Sequence, residues 1–207
     1  MEIFYDHIIT LPKPFPDVKI HISTEEIILR KTKIPTNQVT GYAYGNVQIK
    51  MGPIKGGMLF YLKIFYGNGK SKFFELNRSQ LGNHEEVVNG IIQGLWQVKG
   101  RHVIKGIITG IKSGHEVSLN RKNQIVAYPT GIGYKSLALW SSKITLIEWE
   151  NLKTKVANGA IQIGDNRKKS YAVSYPMKDT ENIHNLLELL TWKADYFKDV
   201  VDVSKTR

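Results

Sequence analysis

Asn83-His84-Glu85-Glu86-Val87-Val88-Asn89-Gly90-Ile91-Ile92-Gln93-Gly94-Leu95 sets the organisation of this chain. Asn83 is placed to cap free backbone N–H groups, and Glu86, three residues on, completes a capping box. Val88, Ile91, Ile92 and Leu95 recur at i, i+3, i+4 and i+7, so they share one face of a helix. Gly100 marks its expected end. The same grammar returns near the C-terminus. Thr180 or Asp179 is the cap, and Glu181 lies in the first turn, where the helix dipole favours an anion. Ile183, Leu186, Leu187 and Leu190 repeat the spacing and align with the first set one for one. Each helix also carries a tryptophan near its end, Trp96 and Trp192.

Outward from the helices the match continues. Gly67-Asn68-Gly69-Lys70-Ser71-Lys72-Phe73-Phe74-Glu75-Leu76 lies against Gly164-Asp165-Asn166-Arg167-Lys168-Lys169-Ser170-Tyr171-Ala172-Val173. Both read as a turn followed by a strand, because Gly, Asn and Asp supply the positive φ of tight hairpins. Upstream, period-two patterning predicts strands over 18–23, 26–31, 41–50 and 58–66 in the first half. In the second half it predicts them over 116–119, 124–128, 137–140, 144–148, 153–156 and 160–163. Ser23-Thr24-Glu25-Glu26 and Asn120-Arg121-Lys122-Asn123 are the first turns of the two halves. Pro12, Pro14 and Pro16 make an extended lead-in. The segment 100–114 mixes Val103, Ile104, Ile107, Ile108 and Ile111 with four glycines, and reads as a linker or as the first strand of the second half.

Composition bounds the function classes. With 207 residues the chain has room for two units of ordinary domain size, 1–100 and 101–207. It contains no cysteine, which excludes disulfides and thiolate metal sites. The start, Met-Glu-Ile-Phe-Tyr-Asp-His, has an early acid and no basic segment leading into an apolar run, so no secretory signal is expected. No apolar stretch approaches the roughly 20 residues of a membrane span. The expectation is a soluble, cytoplasmic protein. Its net charge is +11. Twelve basic and eight acidic residues in 1–100 give +4, and the remainder gives +7. Such a charge favours anionic partners.

Ile147-Glu148-Trp149-Glu150-Asn151-Leu152-Lys153, continued through the closing helix to Leu190, resembles the bacterial pleckstrin-homology-like pattern, in which a Trp-containing segment leads into the last strands and a C-terminal helix. The architecture covers nearly the whole chain twice, although the first half has no counterpart of Trp149. The resemblance implies a mainly β fold with α: two partly open β-barrels of about seven antiparallel strands, each plugged by its C-terminal helix. Members of that superfold bind lipid headgroups, peptides or protein surfaces, and some tandem members bind histones. Fold alone does not carry function across. The phosphoinositide-binding members place cations on the first two strands and their loop. Here the first such loop holds Glu25 and Glu26, and the second holds only Arg121 and Lys122.

The basic turns are the candidate anion sites: Lys70 and Lys72 in one, Arg167, Lys168 and Lys169 in the other, with Arg121 and Lys122 beside them. Gly69-Lys70-Ser71 does not make a phosphate loop, since Ile64 stands where its first glycine belongs and a strand follows where a helix is needed. Gly131-Ile132-Gly133-Tyr134-Lys135-Ser136 fails on spacing too. His7, His21, His84, His102, His115 and His184 share no ligand spacing, and His84 and His184 are expected to be exposed in the first turns of their helices. Gly110-Ile111-Lys112-Ser113-Gly114 is not a nucleophile elbow. Tyr42, Tyr44, Tyr61, Phe65 and Tyr66 read as core. Leu187, Leu190, Ala194, Phe197 and Val201 step by three and four, so Phe197 and Val201 are expected to reach another surface, of the other unit or of a second copy of the chain.

The resulting expectation is a non-enzymatic binding or scaffolding module whose partner is a protein or an anionic surface. No metal or cofactor is expected. Two other classes stand beside it. A nucleic-acid or histone-type binder would cluster Lys and Arg on one face, and its affinity for nucleic acid would be weak and salt-sensitive. An enzyme would converge acids or histidines in a cleft between the units.

Overall fold

The computed structural model describes residues 1–11, 13–14, 16–51, 54–77, 83–120, 124–135, 144–190 and 192–193, and of residues 48–51, 54–56 and 84 the backbone alone. Four strands open the chain: β1 (Ile3–Ile9), β2 (Val18–Ser23), β3 (Glu26–Leu29) and β4 (Thr32–Pro35), paired antiparallel in sequence order. The turn between β2 and β3 is built by Ser23, whose buried hydroxyl accepts from the Glu26 and Glu25 N–H groups at 3.2 and 3.4 Å. Glu25 and Glu26 therefore serve a turn. Between β3 and β4 the chain reverses through Arg30, held at φ 59.

A second sheet follows, of β5 (Val39–Met51), β6 (Ile54–Tyr66) and β7 (Lys70–Asn77). Gly67 and Gly69 take φ 52 and 84 in the tight turn that joins β6 to β7. The helix α1 (His84–Leu95) comes next. Its cap departs from a capping box. The Asn83 side-chain amide bonds the Glu86 carboxylate and makes no bond to the helix backbone. Alternation in the strands and the helical stripe meet in one core, which holds Ile20, Ile22, Ile27, Leu29, Phe60, Leu62, Ile64, Phe74, Leu76, Val88, Ile91 and Leu95. Each such side chain, fully buried, contributes about 1.5–3 kcal/mol relative to exposure.

Gly100 does not end the helix. Helical hydrogen bonding widens to a π turn at Trp96–Gly100 and continues as α2 (Arg101–Lys112). The segment 100–114 is thus neither a linker nor a strand. Val103, Ile104, Ile107, Ile108 and Ile111 fall on one helical stripe, and Ile107 and Ile111 are buried. Gly110 sits where Val117 packs against the helix.

After α2 the order of the first unit returns. Strands β8 (Val117–Ser118), β9 (Ile125–Tyr128), β10 (Gly131–Lys135) and β11 (Ile144–Glu148) form a sheet in sequence order. A second sheet holds β12 (Leu152–Ala157), β13 (Ala160–Asp165) and β14 (Val173–Pro176), and a helix, α3, covers residues 184–190. The strand expected at 137–140 lies outside the described residues. The short 3-10 turn Thr36–Gln38 between β4 and β5 recurs as Trp149–Asn151 between β11 and β12, with matching extended backbone on either side. Thr36 holds that place in the first unit, so no tryptophan answers to Trp149 there. Trp149 donates its ring N–H to the Tyr128 and Pro129 carbonyls, both at 3.1 Å. Asn158 and Gly159, at φ 51 and 70, close the β12–β13 hairpin between the paired Ala157 and Ala160.

The chain divides into two compact units, Met1–His102 and Val103–Arg207. It is mainly β with α, in four antiparallel sheets, each open among the described residues. The second core is formed by Ile107, Ile111, Ile125, Ile132, Ile147, Trp149, Ile161, Ile163, Tyr175, Ile183, Leu186 and Leu189. Two expectations change there. The stripe of α3 runs through Ile183, Leu186 and Leu189, while Leu187 and Leu190 are only half-buried. His184 is buried, as are Thr180, Glu181, Asn182 and Asn185, so the start of this helix is an enclosed polar segment and not a solvated cap. No helix among the described residues is long and apolar enough to cross a membrane.

Candidate functional site

The connections β6–β7 and β13–β14 occupy the same place in the two strand orders, with basic residues just after the first and within the second. Their electrostatics differ. In the second unit, Asp165 ends β13 with its carboxylate nearly enclosed. It accepts the Arg167 backbone N–H at 2.9 Å, Nε at 3.0 Å and Nη2 at 2.8 Å. Glu148 approaches the same guanidinium at 3.7 Å. A forked guanidinium and a backbone amide hold the carboxylate together. The Arg167 hydrogen bonds therefore pull the Asp165 pKa down to about 2. Lys153 reaches into the loop, donates to the Lys168 and Lys169 carbonyls and lies 5.1 Å from the Tyr171 ring centre. Arg167 is thereby neutralised within the fold. Lys168 and Lys169 are exposed. Arg121, Lys122, Phe197 and Val201 lie outside the described residues.

In the first unit the turn is only Gly67-Asn68-Gly69, and Lys70 and Lys72 belong to strand β7 itself. Side chains of β7 alternate, so Lys72 shares the face of the buried Phe74 and Leu76, while Phe73 and Glu75 face outward. Lys72 lies one step beyond the core on that face. There it lines a cleft of about 590 Å³, a size ordinary for ligand sites. Leu11, Pro16, Val18, Leu29, Phe73 and Phe74 supply apolar walls. Arg30, Lys31, Thr32, Lys72 and Asp17 supply polar ones.

Arg30 fixes one end of this cleft. It donates from Nη2 to the Glu75 carbonyl at 3.2 Å and stands 5.3 Å over the Phe74 ring, so it ties the β3–β4 turn to β7. Its own N–H bonds the Lys19 carbonyl at 2.8 Å. Neither Lys31 nor Lys72 has a carboxylate partner among the described residues. The cleft therefore presents three cations against one acid beside a greasy wall. Sequence reasoning found Lys72 but placed it in a turn, and it missed Arg30 and Lys31 because Lys31 read as the end of a strand. The stretch Leu29-Arg30-Lys31-Thr32 has no glycine, asparagine, aspartate or proline to mark the turn.

The other candidates are structural. Tyr42 and Tyr61 are buried, and Tyr44 and Tyr66 pack on the first core. His21 is buried and meets the Asp6 carboxylate at 3.1 Å, while His7 stacks on Tyr5. Tyr175 is fully buried, with its hydroxyl 2.9 Å from both the Gln124 and Lys135 carbonyls, and burial holds its proton on far above the usual phenol range. Lys193, enclosed near Trp149 and Trp192, has its pKa lowered by burial. Among the described residues no three acids or histidines are grouped to hold a metal ion. Gly131–Lys135, weighed as a phosphate loop, is strand β10. No family model and no curated protein matches this chain.

Proposed function

We propose that this chain is a tandem pleckstrin-homology-like binding module without catalytic activity, and that the cleft of its first unit takes an acidic, partly apolar segment of another protein. The fold part rests on the repeated order of four strands, a 3-10 turn, three strands and a helix. The ligand part rests on one observation, the pairing of Lys31 and Lys72, which have no carboxylate partner among the described residues, with the apolar wall of Leu11, Val18, Leu29 and Phe74. A ligand that is only charged would leave that wall wet, and one that is only apolar would desolvate the lysines without return. An extended, acidic segment with apolar side chains satisfies both.

The test is fluorescence anisotropy with a labelled eight-residue peptide that carries glutamate and valine in turn at every second position, with threonine between them, set against the same peptide with lysine for glutamate. The acidic peptide should bind and the basic one should not. Lys31→Glu with Lys72→Glu should weaken binding at least tenfold, and Lys168→Glu with Lys169→Glu should leave it unchanged. Equal binding of both peptides, or indifference to the Lys31 and Lys72 changes, refutes the site.

A further inference from the structure

We infer that the segment binds by adding a strand to the open edge of β7, pairing with the backbone of Ser71 and Phe73; this rests on the acidic-segment reading above. Among the described residues strand β7 has β6 on one side only, so its other edge carries backbone groups with no strand partner among them. Which groups point outward follows from one bond. Arg30 donates to the Glu75 carbonyl at 3.2 Å, and we take that carbonyl to be one that no β6 amide claims. In an antiparallel strand the N–H and C=O of one residue point to the same side and alternate with those of the next. No bulge interrupts the β6–β7 register. Ser71 and Phe73 therefore share the outward direction of Glu75, and Lys72 and Phe74 turn their backbone groups to β6.

The cleft begins at this edge, where Lys72, Phe73 and Phe74 are its β7 wall. Arg30 occupies the Glu75 carbonyl, so it closes the far end and limits pairing to the two outward residues before it. An extended chain opposite Ser71 and Phe73 covers about 14 Å over four residues. Its cleft-facing side chains, every second residue, are acidic and apolar in turn, the acids meeting Lys31 and Lys72 and the apolar ones meeting Leu29 and Phe74, because Lys72 and Phe74 share one face of β7. Charge complementarity selects the occupant: the remaining N–H groups of Arg30 and the two lysines favour carboxylates, and Asp17 is the one acid in the wall. Main-chain bonds supply affinity and the charges supply choice, as in other strand-addition complexes.

Strand pairing uses every second amide of the ligand, which gives a test that simple charge attraction cannot mimic. Two versions of the glutamate–valine peptide are made, N-methylated on the odd or on the even residues. One version should lose at least tenfold in affinity and the other should bind like the parent. In the protein, Ser71→Pro removes an outward N–H and spares the β6 ladder, because proline is tolerated on an edge strand whose N–H faces away. It should weaken binding tenfold with the melting temperature of the unit retained. If Ser71→Pro unfolds the unit, the peptide pair still decides. If both methylated peptides bind alike while Lys31→Glu with Lys72→Glu still abolishes binding, strand addition is overturned and the acidic-segment reading stands. If the peptide does not bind and vesicles rich in anionic lipid do, with the same dependence on Lys31 and Lys72, both are overturned.

Discussion

Alanine at position 90 and alanine at position 106 should have opposite effects on stability, although both replace a glycine inside a helix. Glycine costs about 1 kcal/mol relative to alanine in a helix interior, so on propensity alone either change stabilises by that amount. At Gly106 the new methyl group meets nothing within 4 Å, and the gain of about 1 kcal/mol should be realised. At Gly90 a Cβ would stand 2.6 Å from Cδ2 and Cζ of Tyr5, and closer still to Cε2. Carbon atoms pack best at about 3.5–4.0 Å, so the ring must retreat by about 1 Å or more. It has little room. Tyr5 is paired with Ile22 on β2, its ring stacks on His7, and its Cβ already lies 3.2 Å from where a Cβ on Gly94 would be. A bulge between Ile3 and Tyr5 in the β1–β2 register aims this ring at the helix. Overpacking of that kind costs about 1–3 kcal/mol. Against the propensity gain, Gly90→Ala should come out about 1 kcal/mol destabilising, roughly 2 kcal/mol apart from Gly106→Ala. Urea unfolding followed by far-ultraviolet circular dichroism measures both. The decisive arm is the double mutant: with Tyr5→Ala in place, Gly90→Ala should become stabilising by about 1 kcal/mol. If Gly90→Ala stabilises in the parent as well, β1 does not press on α1 and the packing argument fails.

Two further outcomes are expected. Leu189→Ala should cost the second unit about 2–5 kcal/mol, because Leu189 is fully buried, whereas Leu190→Ala should cost clearly less; equal losses in thermal melting would put the α3 stripe back on Leu190. Asp165 has a folded-state pKa of about 2 against 3.8 unfolded, so its bond to Arg167 stabilises fully above about pH 4 and is lost as pH falls towards 2. Asp165→Asn should therefore lower the melting temperature of the second unit at pH 6, with the gap to the parent closing by pH 2; a gap independent of pH would show that the carboxylate charge is not what matters.

The elements legible in the sequence were those with strong local periodicity. The α1 stripe, the β2, β5, β6 and β11–β13 segments and the Gly67–Gly69 turn all declare themselves within a dozen residues. What the sequence hid had a physical reason in each case. β1 is an edge strand with most of its side chains exposed and a bulge that breaks its alternation. α2 was masked by Gly106 and Gly110, which argue against a helix by propensity, yet the second is there because Val117 needs the space. The α3 stripe was misplaced by a fraction of a turn because Leu186, Leu187, Leu189 and Leu190 allow two faces, and only the tertiary core chooses between them. The cleft was illegible for another reason. Its walls come from residues 11 and 16–18, 29–32 and 72–74, and no window of the sequence holds all of them.

Net charge and charge left unmatched need not fall in the same place, and the two equivalent hairpins show why. The half with the larger excess, +7, carries the loop richest in cations. Yet that loop brings its own acid. Asp165 sits two residues before Arg167, at a spacing that lets one carboxylate bind both the backbone N–H and the guanidinium, and Glu148 adds a second negative neighbour. Such an arrangement ties down the Arg167 guanidinium, while Lys168 and Lys169 stay exposed with no apolar wall assigned beside them. The corresponding stretch of the first unit, Gly67 to Lys72, contains no acid at all, so its lysines have nothing local to pair with. One of them, Lys72, is then set by strand alternation onto the face where β7 meets Arg30 and Lys31. Attraction for an anion depends on charges left unmatched beside a surface that excludes water, since only there does the effective dielectric fall low enough for a few cations to matter. By that criterion the proposed acidic partner belongs to the less basic half of the chain, since in the other half Asp165 and Glu148 already face Arg167.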